Sequence, residues 1–380
     1  MFQLQIIAMS VKKILVIFII LLILAGGALV IYNFVIKKTG NAPAQRQAAF
    51  PETELNLKIS VLNKEKAFAL SIGDDDKTIK YYLEKNGLVF SSAFDGSNSQ
   101  ALSTNELPGL SEVIWSPDKK KVIGIFSGIT PKKYFYDYQT KKSVLLNESI
   151  KSIDWAPSSQ KIVYHYETSD DQYNNISIAN PDGSNWRAIF QTRLTDLVVK
   201  WPSPDKIYIF NKPSGLTKSS LFAIDSNSGN LSNILSDLYG FSPKWSPDGQ
   251  KILYQATDQN GKNLKLYVAF SDGTQQKELP LQTLAEKCVW SLDSQTLFCA
   301  VPQQLSEHAI WPDDYSLARV SVSDDFYIIN TGSLQKTKIA GSDTSQSFDA
   351  QNLILSPSGD YLFFVNRKNE LIYGIKLELQ

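Results

Sequence analysis

Short apolar runs separated by polar turns recur along the chain from about residue 55 to its end. Typical runs are Lys161–Tyr164, Lys251–Tyr254 and Tyr361–Phe364, which are rich in β-branched and aromatic side chains. A polar spacer and a second such run follow, Leu266–Ala269 in the second case, and then a glycine or asparagine turn. This pattern predicts a repeating four-stranded antiparallel meander.

A tryptophan marks most of the repeats. Five of the seven tryptophans fall in one recurring sequence of the type Trp-Ser-Pro-Asp, and these structural anchors are Trp115, Trp155, Trp201, Trp245 and Trp290. A sixth copy carries Leu355, and successive anchors lie 40, 46, 44, 45 and 65 residues apart. A degenerate unit near Leu70 precedes Trp115 by 45 residues. The spacing predicts seven repeats, with six or eight as the alternatives.

The residues after each anchor are those of a tight turn. Proline presets φ, serine and aspartate bond to nearby backbone, and glycine accepts the left-handed conformation. The tryptophan is a large rigid plate suited to the space between neighbouring sheets. We therefore interpret the anchors as scaffold. The strand-like segment Leu55–Val61 precedes the first repeat, and we expect it to complete the last sheet, so that no open edge remains.

The tryptophan anchors with their two following strands and Asp-Gly turns resemble the propeller repeats of the TolB family, which are WD-repeat-like, and of prolyl-oligopeptidase-like enzymes. The resemblance covers about residues 55–380. It implies an all-β fold, a single β-propeller. It says little about activity, because the motif residues are scaffold. Neither a TolB-type domain ahead of the propeller nor a hydrolase domain after it is expected, so a role in the Tol system is not carried over.

Residues 14–36 carry no charge and are flanked by lysines at 12, 13, 37 and 38. As a helix this segment is about 34 Å long, enough for a hydrocarbon core of about 30 Å. We predict a cytoplasmic tail at 1–13, a transmembrane helix at 14–36, a linker at 37–53 and the propeller at 54–380, outside the cytoplasm. The alternative is a cleavable signal peptide, for which Ala42-Pro43-Ala44 offers a cleavage sequence.

The charge of the chain argues against nucleic acid as a partner. The whole sequence is neutral, but residues 41–380 hold 34 basic and 38 acidic residues. A mildly acidic domain lacks the basic surface that phosphate binding requires.

No catalytic motif is present in the repeats: there is no nucleophile elbow, metal-ligand spacing or phosphate loop. We therefore predict a protein that is not an enzyme and has no cofactor or metal. Of the two histidines, His165 lies in a strand-like run and is expected to be structural. The acidic runs at 74–76, 170–171 and 324–325 are expected to be solvated loops rather than calcium sites.

The sixth repeat departs from the pattern through an insertion at 302–319. Insertions on a rigid scaffold are where binding groups concentrate. The hypothetical binding residues are Trp311, Asp313, Asp314, Tyr315 and Arg319. The alternative is that Trp311 fills a hydrophobic gap on the propeller face.

The only two cysteines, Cys288 and Cys299, flank one hairpin. A four-residue loop places them directly opposite one another, whereas a three-residue loop with a bulge points them to opposite faces. We expect either a disulfide, which requires an oxidising compartment, or two buried thiols.

Taken together, these patterns predict a non-enzymatic, membrane-anchored propeller that acts outside the cytoplasm as a protein-interaction or envelope-binding scaffold. The alternative is a propeller that binds a glycan or small molecule, with lyase or hydrolase chemistry at the mouth of its channel.

Overall fold

The computed structural model describes residues 53–168 and 173–377 of the 380-residue chain. The predicted tail, the predicted transmembrane helix and all but the last residue of the predicted linker lie outside the described residues. Within the described ranges, no helix is long and apolar enough to span a membrane. The anchor therefore stays a prediction.

The described strands are numbered β1–β28 and form six hydrogen-bonded sheets. The chain opens with β1 (Thr53–Glu54) and β2 (Ile59–Val61). Sheet I contains β3 (Ala67–Ile72), β4 (Thr78–Leu83), β5 (Val89–Ala93) and β6 (Gln100–Ala101). Sheet II contains β7 (Leu110–Trp115), β8 (Lys121–Phe126), β9 (Lys132–Asp137) and β10 (Ser143–Leu145). Sheet III contains β11 (Ile150–Trp155), β12 (Ile162–Tyr166), β13 (Asn174–Ala179) and β14 (Arg187–Thr192).

The second half continues the series. Sheet IV contains β15 (Leu197–Ser203), β16 (Lys206–Asn211), β17 (Lys218–Asp225), β18 (Leu231–Trp245), β19 (Lys251–Thr257), β20 (Lys265–Phe270) and β21 (Lys277–Leu279). After the short 3-10 helix η1 (Ala285–Lys287), sheet V contains β22 (Cys288–Trp290), β23 (Thr296–Pro302), β24 (Asp324–Asn330) and β25 (Lys336–Gly341). The helix α1 (Asp313–Ser316) lies between β23 and β24, and sheet VI contains β26 (Ala350–Leu355), β27 (Tyr361–Asn366) and β28 (Leu371–Lys376).

Apart from β1 and β2, which pair at the edges of sheets V and VI, each sheet is an antiparallel meander of strands that follow one another in sequence. In sheet IV the 15-residue strand β18 ends one four-strand run and begins the next, so β15–β18 form half IVa and β18–β21 form half IVb. The first strands of neighbouring sheets contact each other, for example β3 with β7 and β11 with β15. These strands therefore lie on the inside of the ring of sheets.

The tryptophans bridge neighbouring sheets. Four of the five anchor tryptophans end an inner strand; for example, Trp115 pairs with Val122 and Trp155 with Ile162. The Trp115 indole Nε1 donates to the carbonyl of Ala69 at 2.8 Å, and that of Trp155 donates to the carbonyl of Ile114 at 3.0 Å. Each of these rings thus bonds to the inner strand of the preceding sheet while its plane fills the gap between the two sheets.

Apart from one cluster at the insertion, the core is a series of hydrophobic clusters that are each shared by two consecutive sheets. One cluster joins II to III through Ile123 and Tyr164, and another joins IVb to V through Leu253 and Cys299. A further cluster packs Phe363 and Val365 of sheet VI against sheet I. Because the last sheet packs against the first, the ring is closed.

The N-terminal segment completes the closure in a way that the sequence pattern anticipated only in part. We expected residues 55–61 to form one strand, but only β2 (Ile59–Val61) pairs with β28, antiparallel. The preceding residues run parallel to β25 of sheet V, with Leu55 N–H donating to the Lys338 carbonyl at 2.7 Å and Leu57 N–H to that of Ile339 at 2.8 Å. The segment therefore covers the edges of two neighbouring sheets.

Candidate binding site

The insertion that the sequence singled out folds back into the protein. Trp311 and Tyr315 are each 3% exposed, and their rings lie 6.1 Å apart. They form a hydrophobic cluster with Leu264, Leu284 and Val322. This placement favours the gap-filling interpretation of Trp311, while the binding role proposed for it stays a prediction.

The polar residues of the insertion hold its loop in place. The Asp313 carboxylate accepts hydrogen bonds from the Ser214 hydroxyl at 2.9 Å and from the Gly215 N–H at 2.6 Å. Asp314 accepts from the Ile310 N–H at 2.7 Å and lies 3.2 Å from the exposed Arg319 guanidinium. The bond from Ile310 and the charge of Arg319 lower the pKa of Asp314. Both aspartates therefore form hydrogen bonds within the protein that hold the inserted loop in position.

Beneath the insertion lies a buried ionic network that the sequence did not reveal. The Lys287 ammonium is 2.8 Å from Asp324 and 2.9 Å from Asp349, and it donates to the Tyr315 hydroxyl at 3.0 Å. All four side chains are buried. Burial alone would lower the pKa of Lys287, but Asp324, Tyr315 and Asp349 outweigh it and raise that pKa. A buried ammonium needs such partners.

This network corrects one prediction about the acidic runs. Asp324 was expected to lie in a solvated loop with its neighbour, but its exposure is 0%. One carboxylate oxygen accepts the Ala350 N–H at 2.7 Å, which ties sheet V to sheet VI. The sequence did not reveal that these three side chains meet, because Lys287 lies 37 residues before Asp324 and 62 residues before Asp349.

The two cysteines lie directly opposite one another across β22 and β23, and a disulfide joins them with a Cα–Cα distance of 4.0 Å. The Ser291 N–H donates to the Thr296 carbonyl at 2.8 Å, which leaves four residues, 292–295, in the loop. This is the first of the two registers that the sequence allowed. Both cysteines are fully buried.

A tyrosine-lined recess lies elsewhere, between sheets I and II. It has a volume of about 460 Å³. Three tyrosines at alternating positions, Tyr134, Tyr136 and Tyr138, line it from the side of sheet II. The intervening Phe135 belongs instead to the cluster shared with sheet III. Alternation along β9 thus directs every second ring into the recess.

A missing side chain opens this recess. Gly124 stands in β8, two positions after the residue that pairs with the anchor tryptophan. The equivalent positions in the other sheets carry buried side chains, each 5% exposed or less, and all of them except a disulfide-bonded cysteine are large. They are Tyr81, Tyr164, Ile209, Tyr254, Cys299 and Phe364. In the sequence, the apolar runs Lys161–Tyr164, Lys251–Tyr254 and Tyr361–Phe364 each have an aromatic residue at this position, whereas the corresponding run in sheet II has Gly124.

The base and the rim of the recess differ in polarity. At the base, the hydroxyls of Tyr82 and Tyr138 are hydrogen-bonded to each other, and burial raises the pKa of both. At the rim lie Asn105, Glu106 and Lys132, all exposed. The site can therefore take an apolar ring inside and polar groups at its mouth.

Two shifted titratable groups lie near the inner strands. Lys244 stands on the inner part of β18, and burial lowers its pKa to about 8. Burial likewise raises the pKa of Glu286, in η1, and the two side chains interact electrostatically. A lysine with a pKa of about 8 is able to accept a proton near neutral pH.

Across residues 53–168 and 173–377, no three histidine, cysteine, aspartate or glutamate side chains are grouped so that they could hold a metal ion.

A closed ring of antiparallel sheets packed face to face defines the class of this protein: it is a β-propeller. No protein-family model and no curated protein matches its sequence.

Solved structures share the fold. An oligogalacturonate lyase in complex with manganese has a TM-score of 0.61 at 12% identity, covering 84% of this chain and 93% of its own. The Cps50 (Swd1) propeller domain of Myceliophteria thermophila has a TM-score of 0.55 at 10% identity, covering 85% and 99%. The propeller domain of the trilobed protease from Pyrococcus furiosus, which has an open velcro topology, has a TM-score of 0.51 at 13% identity, covering 82% and 94%. At these identities the likeness shows the fold alone.

Proposed function

We propose that this protein is a membrane-anchored, non-enzymatic propeller that binds a protein partner outside the cytoplasm. The observation that carries the proposal is the recess between sheets I and II. Aromatic residues at the centre and polar residues at the rim are the arrangement that protein interfaces favour, and this recess has both. A rigid ring of sheets holds these side chains in place, since β8 and β9 are bonded to neighbours on both sides.

The placement outside the cytoplasm has two supports. The uncharged segment 14–36 is long enough to be a membrane anchor, followed by a large C-terminal domain. The disulfide between Cys288 and Cys299 fits an oxidising compartment. A reporter that is active only outside the cytoplasm, fused after residue 380 of the full chain, tests the topology. A reporter active only in the cytoplasm at this position would contradict it.

We also infer seven blades, because halves IVa and IVb each supply a four-strand run. Seven hydrophobic clusters link these runs in one cycle, from sheet I through sheet VI and back. An experimental density map of the full chain that showed six or eight blades would refute this count.

Site-specific photo-crosslinking tests the partner class. A benzophenone amino acid replaces Asn105 at the rim of the recess, and a matched variant carries it at Asn227, an exposed turn residue of half IVa. In membranes of the native host, we expect a discrete polypeptide adduct from position 105 and none from position 227. Absence of any polypeptide adduct at 105, or equal adducts at both positions, would overturn the proposal.

A second function, glycan lyase chemistry, has one observation in its favour. Lys244, with a pKa of about 8, could abstract a proton next to a carboxylate. One structural neighbour is an oligogalacturonate lyase in complex with manganese. Incubation of the full chain with oligogalacturonate, with and without Mn²⁺, tests this by the ultraviolet absorbance of an unsaturated product. Turnover that Lys244→Met abolishes would replace the binding proposal by an enzymatic one.

A further inference from the structure

We infer that the recess between sheets I and II receives an aromatic side chain of the partner polypeptide, which stacks on Tyr134 in the place that Gly124 leaves empty. This inference rests on the proposed function and names the chemical group that the same site recognises.

The residues equivalent to Gly124 in the other sheets indicate which kind of side chain fits the space beside Tyr134. In three of them, an aromatic residue equivalent to Gly124 stacks on an aromatic residue of the third strand. The pairs are Tyr81 with Phe90, Tyr254 with Tyr267 and Phe364 with Tyr373, with ring centroids 6.1, 5.2 and 5.5 Å apart and interplanar angles of 18°, 16° and 13°.

Sheet II keeps only one half of this pair. Tyr134 is directly paired with Gly124, in the same register that joins Tyr254 to Tyr267. Tyr134 has an edge contact with Phe126, at 5.3 Å and 78°. Among the described residues, no ring stacks in parallel on it. One face of the Tyr134 ring is therefore available for stacking, at the position where three other sheets have a second aromatic ring.

The size and polarity of the recess fit such a residue. An apolar cavity of about 150 Å³ is large enough to hold benzene, and this recess has about 460 Å³. The space left over can take the chain that carries the ring. At the rim, Asn105, Glu106 and Lys132 can bond to peptide groups on either side of it. An aliphatic side chain would fill the place less well, because it has no flat face to stack.

A tyrosine introduced at position 124 should fill the recess and compete with the partner's aromatic side chain. Gly124 does not have a left-handed backbone, so a side chain is sterically allowed there. An added Cβ would lie 3.1 Å from the Leu110 side chain and 3.5 Å from the Phe126 ring, both movable groups. Gly124→Tyr should therefore restore the pair seen in half IVb and occupy the recess, whereas Gly124→Ala should leave most of the space open.

Titration of the purified full chain with N-acetyl-tyrosinamide, followed by saturation-transfer NMR, tests the inference. We expect binding at roughly millimolar concentration, at least tenfold weaker binding of N-acetyl-leucinamide, and no binding of methyl glucoside. Gly124→Tyr should abolish binding of the tyrosine probe, and Gly124→Ala should retain it. Thermal unfolding of each variant checks that it is folded. If Gly124→Tyr does not fold, Tyr134→Leu takes its place, with an expected loss of at least tenfold.

Equal binding of the leucine and tyrosine probes, binding of the glucoside alone, no binding of any probe, or unchanged binding to a folded Gly124→Tyr variant would each overturn the inference. The proposed function fails separately, when position 105 gives no polypeptide adduct. A polypeptide adduct without binding of the tyrosine probe would leave the protein-binding function standing and remove only the aromatic residue.

Discussion

Gly124 and Tyr134 lie opposite each other across β8 and β9, at the register where half IVb stacks Tyr254 on Tyr267. One absent side chain thus turns a position of the core into a recess. In the other sheets the equivalent side chain is buried. The repeat is therefore regular in its backbone and irregular in its side chains at this place.

Gly124→Ala should raise the free energy of unfolding by about 0.5–1 kcal/mol, because it restricts the unfolded chain at a position whose backbone accepts a side chain. Urea denaturation measures the change. The control is Gly87→Ala at the same recess, where φ is +68° and an added Cβ would lie 2.6 Å from the Leu107 carbonyl oxygen. That variant should lose stability. Equal losses in both variants would contradict this account.

Lys287→Met should lower the free energy of unfolding by about 3–5 kcal/mol, because it leaves Asp324 and Asp349 as buried charges without their cation. Chemical denaturation at pH 7 measures the loss. Adding Asp324→Asn to Lys287→Met should recover about 1 kcal/mol or more, since the two groups are coupled. If Asp324→Asn lowers the free energy of unfolding by the same amount in the Lys287→Met variant as in the original protein, the two residues are not coupled.

Trp311→Ala should cost about 3–5 kcal/mol of stability, because the ring is buried in the cluster of the insertion. Arg319→Ala, in the same insertion but exposed, should change stability little. Comparison of their melting temperatures separates packing from surface effects. A folded Trp311→Ala variant of unchanged stability that lost its partner would restore the binding role first predicted for this residue.

Removal of the disulfide by Cys288→Ala with Cys299→Ala should lower stability by about 3 kcal/mol, from the chain-entropy cost of an 11-residue separation. Mass spectrometry of non-reduced peptides from the exported protein should find the two cysteines linked. Two free thiols in that preparation would show that the bond does not form and would remove its support for an oxidising compartment.

His165 should make the protein less stable in mild acid. The side chain is fully buried and burial lowers its pKa below the usual 6.5. The unfolded chain then binds the proton more readily, so this contribution to stability is complete above pH 6.5 and declines as the pH falls toward the lowered pKa. Urea unfolding at pH 7.5 and pH 5.5 measures the decline. His165→Gln should show a smaller one, and an identical decline would assign it to other groups.

Much of the fold could be predicted from the sequence because its signals are local. The turn after each anchor depends on residues within six positions, and the structure shows this in the bonds from Ser116 and Ser246 to Asp118 and Asp248, each 2.6 Å. Strand periodicity is equally local. The edge contact of Leu55 with sheet V was missed, because no local pattern specifies which distant strand an isolated segment will meet.

The candidate sites show the same difference between local signals, which the sequence contains, and contacts between distant segments, which it does not. The sequence singled out the insertion because it breaks the spacing of the repeats, but it could not show that Trp311 and Tyr315 turn inward. The ionic network of Lys287, Asp324 and Asp349 brings together residues from three separate segments. Spacing along the chain contains no information about such a meeting.

By itself, the sequence determined the repeating unit of this protein, with its strands, its turns and its tryptophan anchors, because short-range sterics and hydrogen bonds define each of them. Only the tertiary structure decided what the exceptions mean. A buried insertion and an open recess depend on which side chain of one sheet faces which side chain of the next. Gly124 is an ordinary small residue in the sequence, and only the packing of sheet I against sheet II shows that the space beside it is unfilled.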